Sequence, residues 1–218
     1  MKIKNVIFDL DGTVADTLPL CISAFKKSIE PLLEAELTTE EIIATFGPSE
    51  EGTIRHFVPQ HEKAGVEAYL KHYEQLHHTC PSPFPGILDL LELLESKDIK
   101  LAMVTGKGIH SARLSLEYLK IEKYFEVLET GRAEGPDKIN GILRVLDRLQ
   151  ADVSESIYIG DSPRDILDSK ELGLPVVAAA WASTTDSAQL KPLNPDWLFY
   201  SVEKFKDWII KQFKEDEI

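Results

Sequence analysis

The sequence predicts an α/β fold: a parallel sheet with helices on both faces, interrupted early by a helical insertion. Three observations carry this. A short apolar run, Val6-Ile7-Phe8, stops abruptly at Asp9-Leu10-Asp11-Gly12, as a buried strand ending in a polar turn does. From residue 82 onward, strand-like and helix-like segments alternate, which calls for a parallel sheet. Between Thr17 and Cys80 only helical spacing occurs. The division is a core of residues 1–16 and 82–218 around an inserted helical unit of residues 17–81, small for an independent domain.

In chain order, Leu18, Ile22, Phe25, Ile29 and Leu33 recur at three and four and predict the first helix. Thr38-Thr39 before Glu41 reads as a capping box opening a short helix that ends by Gly47-Pro48. Residues 49–58 form a weaker helical piece, and Val66, Tyr69, Leu70, Tyr73 and Leu76 mark another helix. Pro81 to Gly86 holds three prolines and a glycine, a stiff turn. Helix is predicted over 87–94, 109–119, 166–172 and 202–213, and from the stripe Ile139 to Leu149. Strands are predicted over 99–104, 125–129, 156–159, 175–180 and 197–200.

The bulk composition sets limits. With 218 residues the chain can build one substantial core and a small inserted unit. A formal charge of −13 argues against nucleic acid or anionic membrane as a partner. Only two cysteines, Cys21 and Cys80, occur, without metal-ligand spacing, and read as reduced thiols of a cytoplasmic protein. No signal peptide or membrane span is expected. A monomer or small homo-oligomer is the expected state.

The chemistry gathers at strand ends. Asp9 and Asp11 follow the first strand, Thr105-Gly106-Lys107 the second, and Asp161 with Asp165 a later one. Lys138 opens the stripe beginning at Ile139. Parallel strands bring their carboxyl ends to one rim, where open α/β sheets bind ligands. Neighbouring carboxylates repel unless a cation or shared proton intervenes, and Mg²⁺ prefers carboxylate oxygens together with substrate phosphate. Aspartates, a hydroxyl and a lysine around one point are suited to phosphoryl transfer.

FDLDGTVAD, VTGK, Lys138 and GDSPRD resemble, in order, the four motifs of the haloacid dehalogenase-like phosphohydrolase superfamily, with its Rossmann-like core. The helical insertion resembles its first cap type. Among its subgroups the chain looks like the phosphoglycolate phosphatase and β-phosphoglucomutase branch. The resemblance implies a Mg²⁺-dependent phosphatase acting on a small phosphorylated metabolite. Asp9 would be the nucleophile, forming an aspartyl-phosphate, and Asp11 the acid and base. Mg²⁺ would sit on Asp9, the Asp11 carbonyl and Asp161, supported by Asp165. Thr105, Gly106 and Lys138 would bind phosphate. The chain departs from the branch in lacking a proline after Lys138, which makes Lys107 the substitute candidate. Asp11 argues for P–O cleavage, because dehalogenases and phosphonatases of the superfamily lack that aspartate. Two other readings stand beside this one: a phosphosugar mutase using the same intermediate, and a non-enzymatic phosphoacceptor.

The remaining polar residues have plainer readings. Arg55 and His56 are expected on an exposed helix face, and His72, His77 and His78 on a solvated one without a metal partner. Trp181 is expected to pack. Arg164 either opens a helix exposed or pairs with a neighbouring acid.

Overall fold

The computed structural model describes residues 2–215. Strand β1 (Asn5–Phe8) leads into helices α1 (Leu18–Leu33), α2 (Thr39–Ile43), α3 (Glu50–Phe57) and α4 (Glu62–Leu76). Then follow α5 (Ile87–Ser96), β2 (Lys100–Val104), α6 (Ile109–Tyr118), β3 (Val127–Glu129), α7 (Lys138–Leu149) and β4 (Ser156–Gly160). The chain continues through α8 (Pro163–Glu171), β5 (Val176–Ala179), α9 (Ser187–Leu190), β6 (Trp197–Phe199) and α10 (Val202–Glu215). The strands form one sheet in the order β3-β2-β1-β4-β5-β6, with every pairing parallel. β1 lies inside the sheet, and the neighbour order switches sides there, so its carboxyl end opens into the crevice that such sheets use for ligands.

Both faces of the sheet are covered, and the side chains alternate accordingly. Val6 and Phe8 of β1, Leu101 and Met103 of β2, and Ile157 and Ile159 of β4 join one apolar cluster. Their neighbours Ile7, Ala102, Val104 and Tyr158 join the other, with Ile142, Val145 and Leu146 of α7. Two-sided burial explains why β1 reads as an unbroken apolar run.

The capping box of α2 forms as the sequence predicts: Glu41 N–H donates to Thr38 Oγ1 and Thr38 N–H to Glu41 Oε2. α8 starts three residues before its predicted position. Ser162 caps it, Pro163 supplies the fixed φ of a first turn, and Asp165 completes the box.

The helical insertion folds on an aromatic line. Phe25 of α1 lies 4.5 Å from Tyr69 of α4, which stacks on Tyr73 at 5.6 Å. It meets the core at several places, two of them on Ser115 and Arg132. Tyr73 OH and Ser115 Oγ of α6 are 2.7 Å apart, and Ser49 N–H donates to the Arg132 carbonyl at 2.9 Å. Where the chain leaves and rejoins the core, Phe84 N–H donates to the Val14 carbonyl at 2.9 Å.

His77 corrects the expectation of a solvated histidine face. It is fully buried, with Nε2 3.1 Å from Ser115 Oγ and its ring 4.3 Å from Tyr118. Its ring meets Tyr73 of α4 edge-on at 5.6 Å as well as Tyr118 of α6, which is distant in sequence. His72 is half-buried and His78 exposed. Among the described residues no helix is long and apolar enough to cross a membrane.

Phe8 is fully buried and meets Phe125 edge-on at 6.1 Å. Phe8→Ala is expected to cost about 3–5 kcal/mol of stability, read as a lower urea midpoint. A loss below about 1 kcal/mol would place the packing centre elsewhere.

Candidate active site

Asp9 lies one residue past β1, anchored by its N–H on the Ile159 carbonyl at 2.8 Å. The chain then turns tightly, with Gly12 N–H on the Ala15 carbonyl and Val14 N–H on the Leu10 carbonyl, both at 2.9 Å. Gly12 takes φ +73°, and a Cβ there would overlap the Asp161 carboxylate. Glycine therefore permits both the turn and the approach of Asp161.

Asp161 follows β4, and Thr185 Oγ1 donates to its Oδ2 at 2.9 Å. Asp165, inside the first turn of α8, is saturated. Its Oδ2 accepts from Ser162 N–H (2.9 Å) and Oγ (2.6 Å). Its Oδ1 accepts from Tyr158 OH (3.1 Å) and Lys138 Nζ (2.5 Å). Lys138, first residue of α7, also reaches Asp9 Oδ2 at 3.3 Å. One oxygen from each of Asp9, Asp161 and Asp165 lies within 4.8 Å of the others.

The electrostatics follow from this crowding. Burial pushes the Asp9 carboxyl well up, Lys138 draws it back, and Asp165, Asp161 and Asp11 add to the rise. Burial and then Asp165 push Asp161 up to about 7. Asp165 is held low against its burial by Lys138 and the Ser162 donors. Burial works against the Lys138 charge, yet Asp165 and Asp9 hold its ammonium well above the lysine range. Three carboxyls share one lysine, and Asp9 Oδ1 is buried without a partner. Two carboxylate charges and an orphaned oxygen are what a divalent oxygen-seeking cation fits.

A second cluster lies beside the first. Asp11 Oδ1 accepts from Thr17 Oγ1 at 2.5 Å and Lys107 Nζ at 3.1 Å. Lys107 is buried, 4.6 Å over the Tyr73 ring and 2.7 Å from Cys21 Sγ. Burial pushes the Cys21 thiol up to about 12, against the pull of Lys107. The two candidate lysines are thus separated by position: Lys138 serves Asp9 and Lys107 serves Asp11. Thr105 is buried, with Oγ1 accepting from Lys107 N–H at 3.2 Å, while Gly106 is exposed. A Cβ at Gly131 would strike the Gly106 carbonyl.

Asp9, Asp11, Thr105, Gly106, Lys107, Lys138 and Asp161 line one cavity of about 540 Å³; Asp165 stands behind it. Arg164 lines the same cavity and pairs with Asp168 at 2.7 Å. Arg55 is exposed and paired with Glu62 at 2.8 Å, and His56 is exposed; neither lines the cavity. Trp181 packs 6.2 Å from Phe205 and donates from Nε1 to the Thr13 carbonyl at 2.9 Å.

Sequence reasoning missed Tyr158, Thr185, Gly131 and the insertion's own wall of the cavity. That wall includes Phe46, Glu50 and Thr53. Glu50 is buried, and its Oε2 accepts from Gly108 N–H at 2.7 Å. Burial pushes its carboxyl up, partly opposed by Lys107. Only the Gly12-Thr13 pair after the aspartates carried a local signal for close approach.

The sequence profile of haloacid dehalogenase-like hydrolases matches residues 6–179. The chain belongs to that family. The PpaX relative of Caldanaerobacter subterraneus is 32% identical over 220 residues, covering 100% of this chain and 99% of that one. The pyrophosphatase PpaX of Halalkalibacterium halodurans is 26% identical, over 95% and 97% of the two chains. A haloacid dehalogenase-like hydrolase from Streptococcus pneumoniae superimposes with TM-score 0.76 at 26% identity, over 97% of this chain and 98% of that one. This haloacid dehalogenase-like hydrolase is an enzyme of the phosphatase kind.

The raised carboxyl of Asp161 has a pH consequence for the metal-free hydrolase. With the folded carboxyl pushed up to about 7, against an ordinary aspartate value of 3.8, the unfolded chain ionises first. Stability is therefore greatest below the lower value and falls as pH rises through this window. In chelator, Asp161→Asn is expected to flatten that fall, measured as urea midpoints at pH 5 and pH 8. An unchanged slope would remove Asp161 as its source.

Proposed function

We propose that this hydrolase is a Mg²⁺-dependent phosphatase that cleaves small phosphate monoesters through an aspartyl-phosphate. The observation that carries it is the Asp9 carboxylate, with Oδ2 on Lys138 and Oδ1 buried without a partner beside Asp161. Asp9 attacks phosphorus as the bond to the leaving oxygen breaks. Asp11, held by Thr17 and Lys107, gives that oxygen its proton. It then takes a proton from the water that attacks the aspartyl-phosphate, releasing phosphate and restoring Asp9.

Lys138 and Thr105, with the backbone N–H groups around Gly106, bind the phosphoryl oxygens. Asp9, Asp161 and the Asp11 carbonyl would hold the Mg²⁺. When bound, it supplies positive charge that offsets repulsion between the phosphate dianion and Asp9. Asp165, with four donors on its two oxygens, orients Lys138 rather than binding the ion directly. Residues 17–81 act as a cap over the core of residues 1–16 and 82–218, excluding water from the cavity. The pyrophosphatase relatives support P–O hydrolysis as the reaction class. The proposed setting is the cytoplasm.

Hydrolysis of p-nitrophenyl phosphate with Mg²⁺ is the direct test. Asp9→Asn is expected to lower kcat on the order of 10⁴-fold or more. Retained turnover, with deamidation excluded by mass spectrometry, would remove Asp9 as nucleophile. Asp11→Asn is expected to lower kcat roughly 10²–10⁴-fold.

Chelation is expected to abolish turnover and Mg²⁺ to restore it. At pH 8, Mg²⁺ should raise the Tm of the native chain but raise that of Asp161→Asn less. An equal rise in both would place the ion away from Asp161.

A further inference from the structure

One wall of the cavity is built by the helical insertion. It is formed by Phe25, Ile43, Phe46, Pro48 and Tyr69. Phe46 tilts against Phe25 at 6.0 Å, and Phe25 against Tyr69 at 4.5 Å. Ile43 is 42% exposed and Phe46 41% exposed, among the most exposed large apolar residues of the described chain. Exposed apolar groups gathered at a cavity mouth mark a surface that another apolar group covers.

The charges of the cavity point the same way. Its lining cations are Lys107, Lys138 and Arg164. Lys107 is paired with Asp11, Lys138 with Asp9 and Asp165, and Arg164 with Asp168. The insertion contributes an acid to the lining, Glu50, whose Oε1 is buried without a partner. A substrate phosphate can draw on Lys138 at the Asp9 end. A second anionic group farther out would meet apolar rings and a carboxyl, with no lysine or arginine on that wall to receive it. Desolvating an unpaired charge there is costly.

We propose that the substrate is a phosphate monoester whose leaving group is uncharged and largely apolar, seated against Phe46 and Phe25, with Glu50 rejecting a second anion. This rests on the phosphatase reading and narrows it. It separates this chain from its pyrophosphatase relatives by substrate, since pyrophosphate carries anionic charge on both halves.

The experiment measures kcat/KM of the full chain with Mg²⁺ on ethyl, butyl and hexyl phosphate, whose leaving oxygens are chemically alike. Pyrophosphate and the phosphate ester of 4-hydroxybutyrate serve as anionic comparators. The expected result is a severalfold rise with each lengthening, at least tenfold preference for hexyl phosphate over pyrophosphate, and tenfold preference for butyl phosphate over its carboxylated analogue. Phe46→Ala should flatten the rise with chain length, mainly through KM. Glu50→Gln should narrow the gap between butyl phosphate and the carboxylated ester.

Pyrophosphate or the carboxylated ester matching the alkyl esters overturns the proposal, as does a chain-length response of zero. An unchanged gap in Glu50→Gln overturns the assignment of rejection to that residue. If p-nitrophenyl phosphate is hydrolysed in those cases, the phosphatase reading stands while this inference falls. If no phosphate compound is hydrolysed, both fall.

Discussion

The ion-pair network centred on Lys138 is the constraint on which the rest depends. One ammonium joins α7 to the end of β1 through Asp9 and to the start of α8 through Asp165. Three elements distant in sequence are thereby fixed around a single buried charge. Tyr158 strengthens the arrangement from within the sheet, donating to the same Asp165 oxygen as Lys138. Removing one member of a buried pair typically costs about 3–5 kcal/mol, because the other is left uncompensated. The lysine still cannot neutralise three carboxyls. The charge left over is taken up by protons on the raised Asp9 and Asp161 carboxyls or, in the proposed function, by the Mg²⁺.

Division of labour between two lysines follows from geometry rather than from residue type. Lys107 and Lys138 are both buried among aspartates, yet they serve different ones. Lys107 bridges core and insertion through Asp11, Cys21 and the Tyr73 ring. Movement of the insertion relative to the core would therefore be felt by Asp11 before Asp9. In the proposed mechanism, proton transfer at Asp11 and attack by Asp9 would each be supported by its own lysine.

The sheet was legible because buried strands and amphipathic helices announce themselves by period. The aspartates were legible because they stand directly at strand ends. Other parts depend on contacts that no local pattern encodes. His77 looked solvated because its burial comes from Ser115 and Tyr118 on α6. Glu50 and Phe46 line the cavity beside the point where α3 packs at Gly52 on the Ala133 carbonyl, which a Cβ would strike. Thr185 reaches Asp161 from the segment after β5. The start of α8 does carry a local signal, Ser162-Pro163, which stands three residues ahead of the first apolar position at Ile166.

The hydrogen bond from Phe84 to Val14 ties together the two places where the chain crosses between core and insertion. Seen from the sheet, the whole intervening stretch is a single excursion that begins and ends at one point. Closing a loop of twice the length adds only about 0.6 kcal/mol, so the length of the excursion costs the core little, whereas the side chains that seat it on the core, Tyr73 and Glu50 among them, are not free to vary. Residues could therefore be gained or lost between those two points at small entropic cost, provided the contacts that dock the insertion on α6 remain.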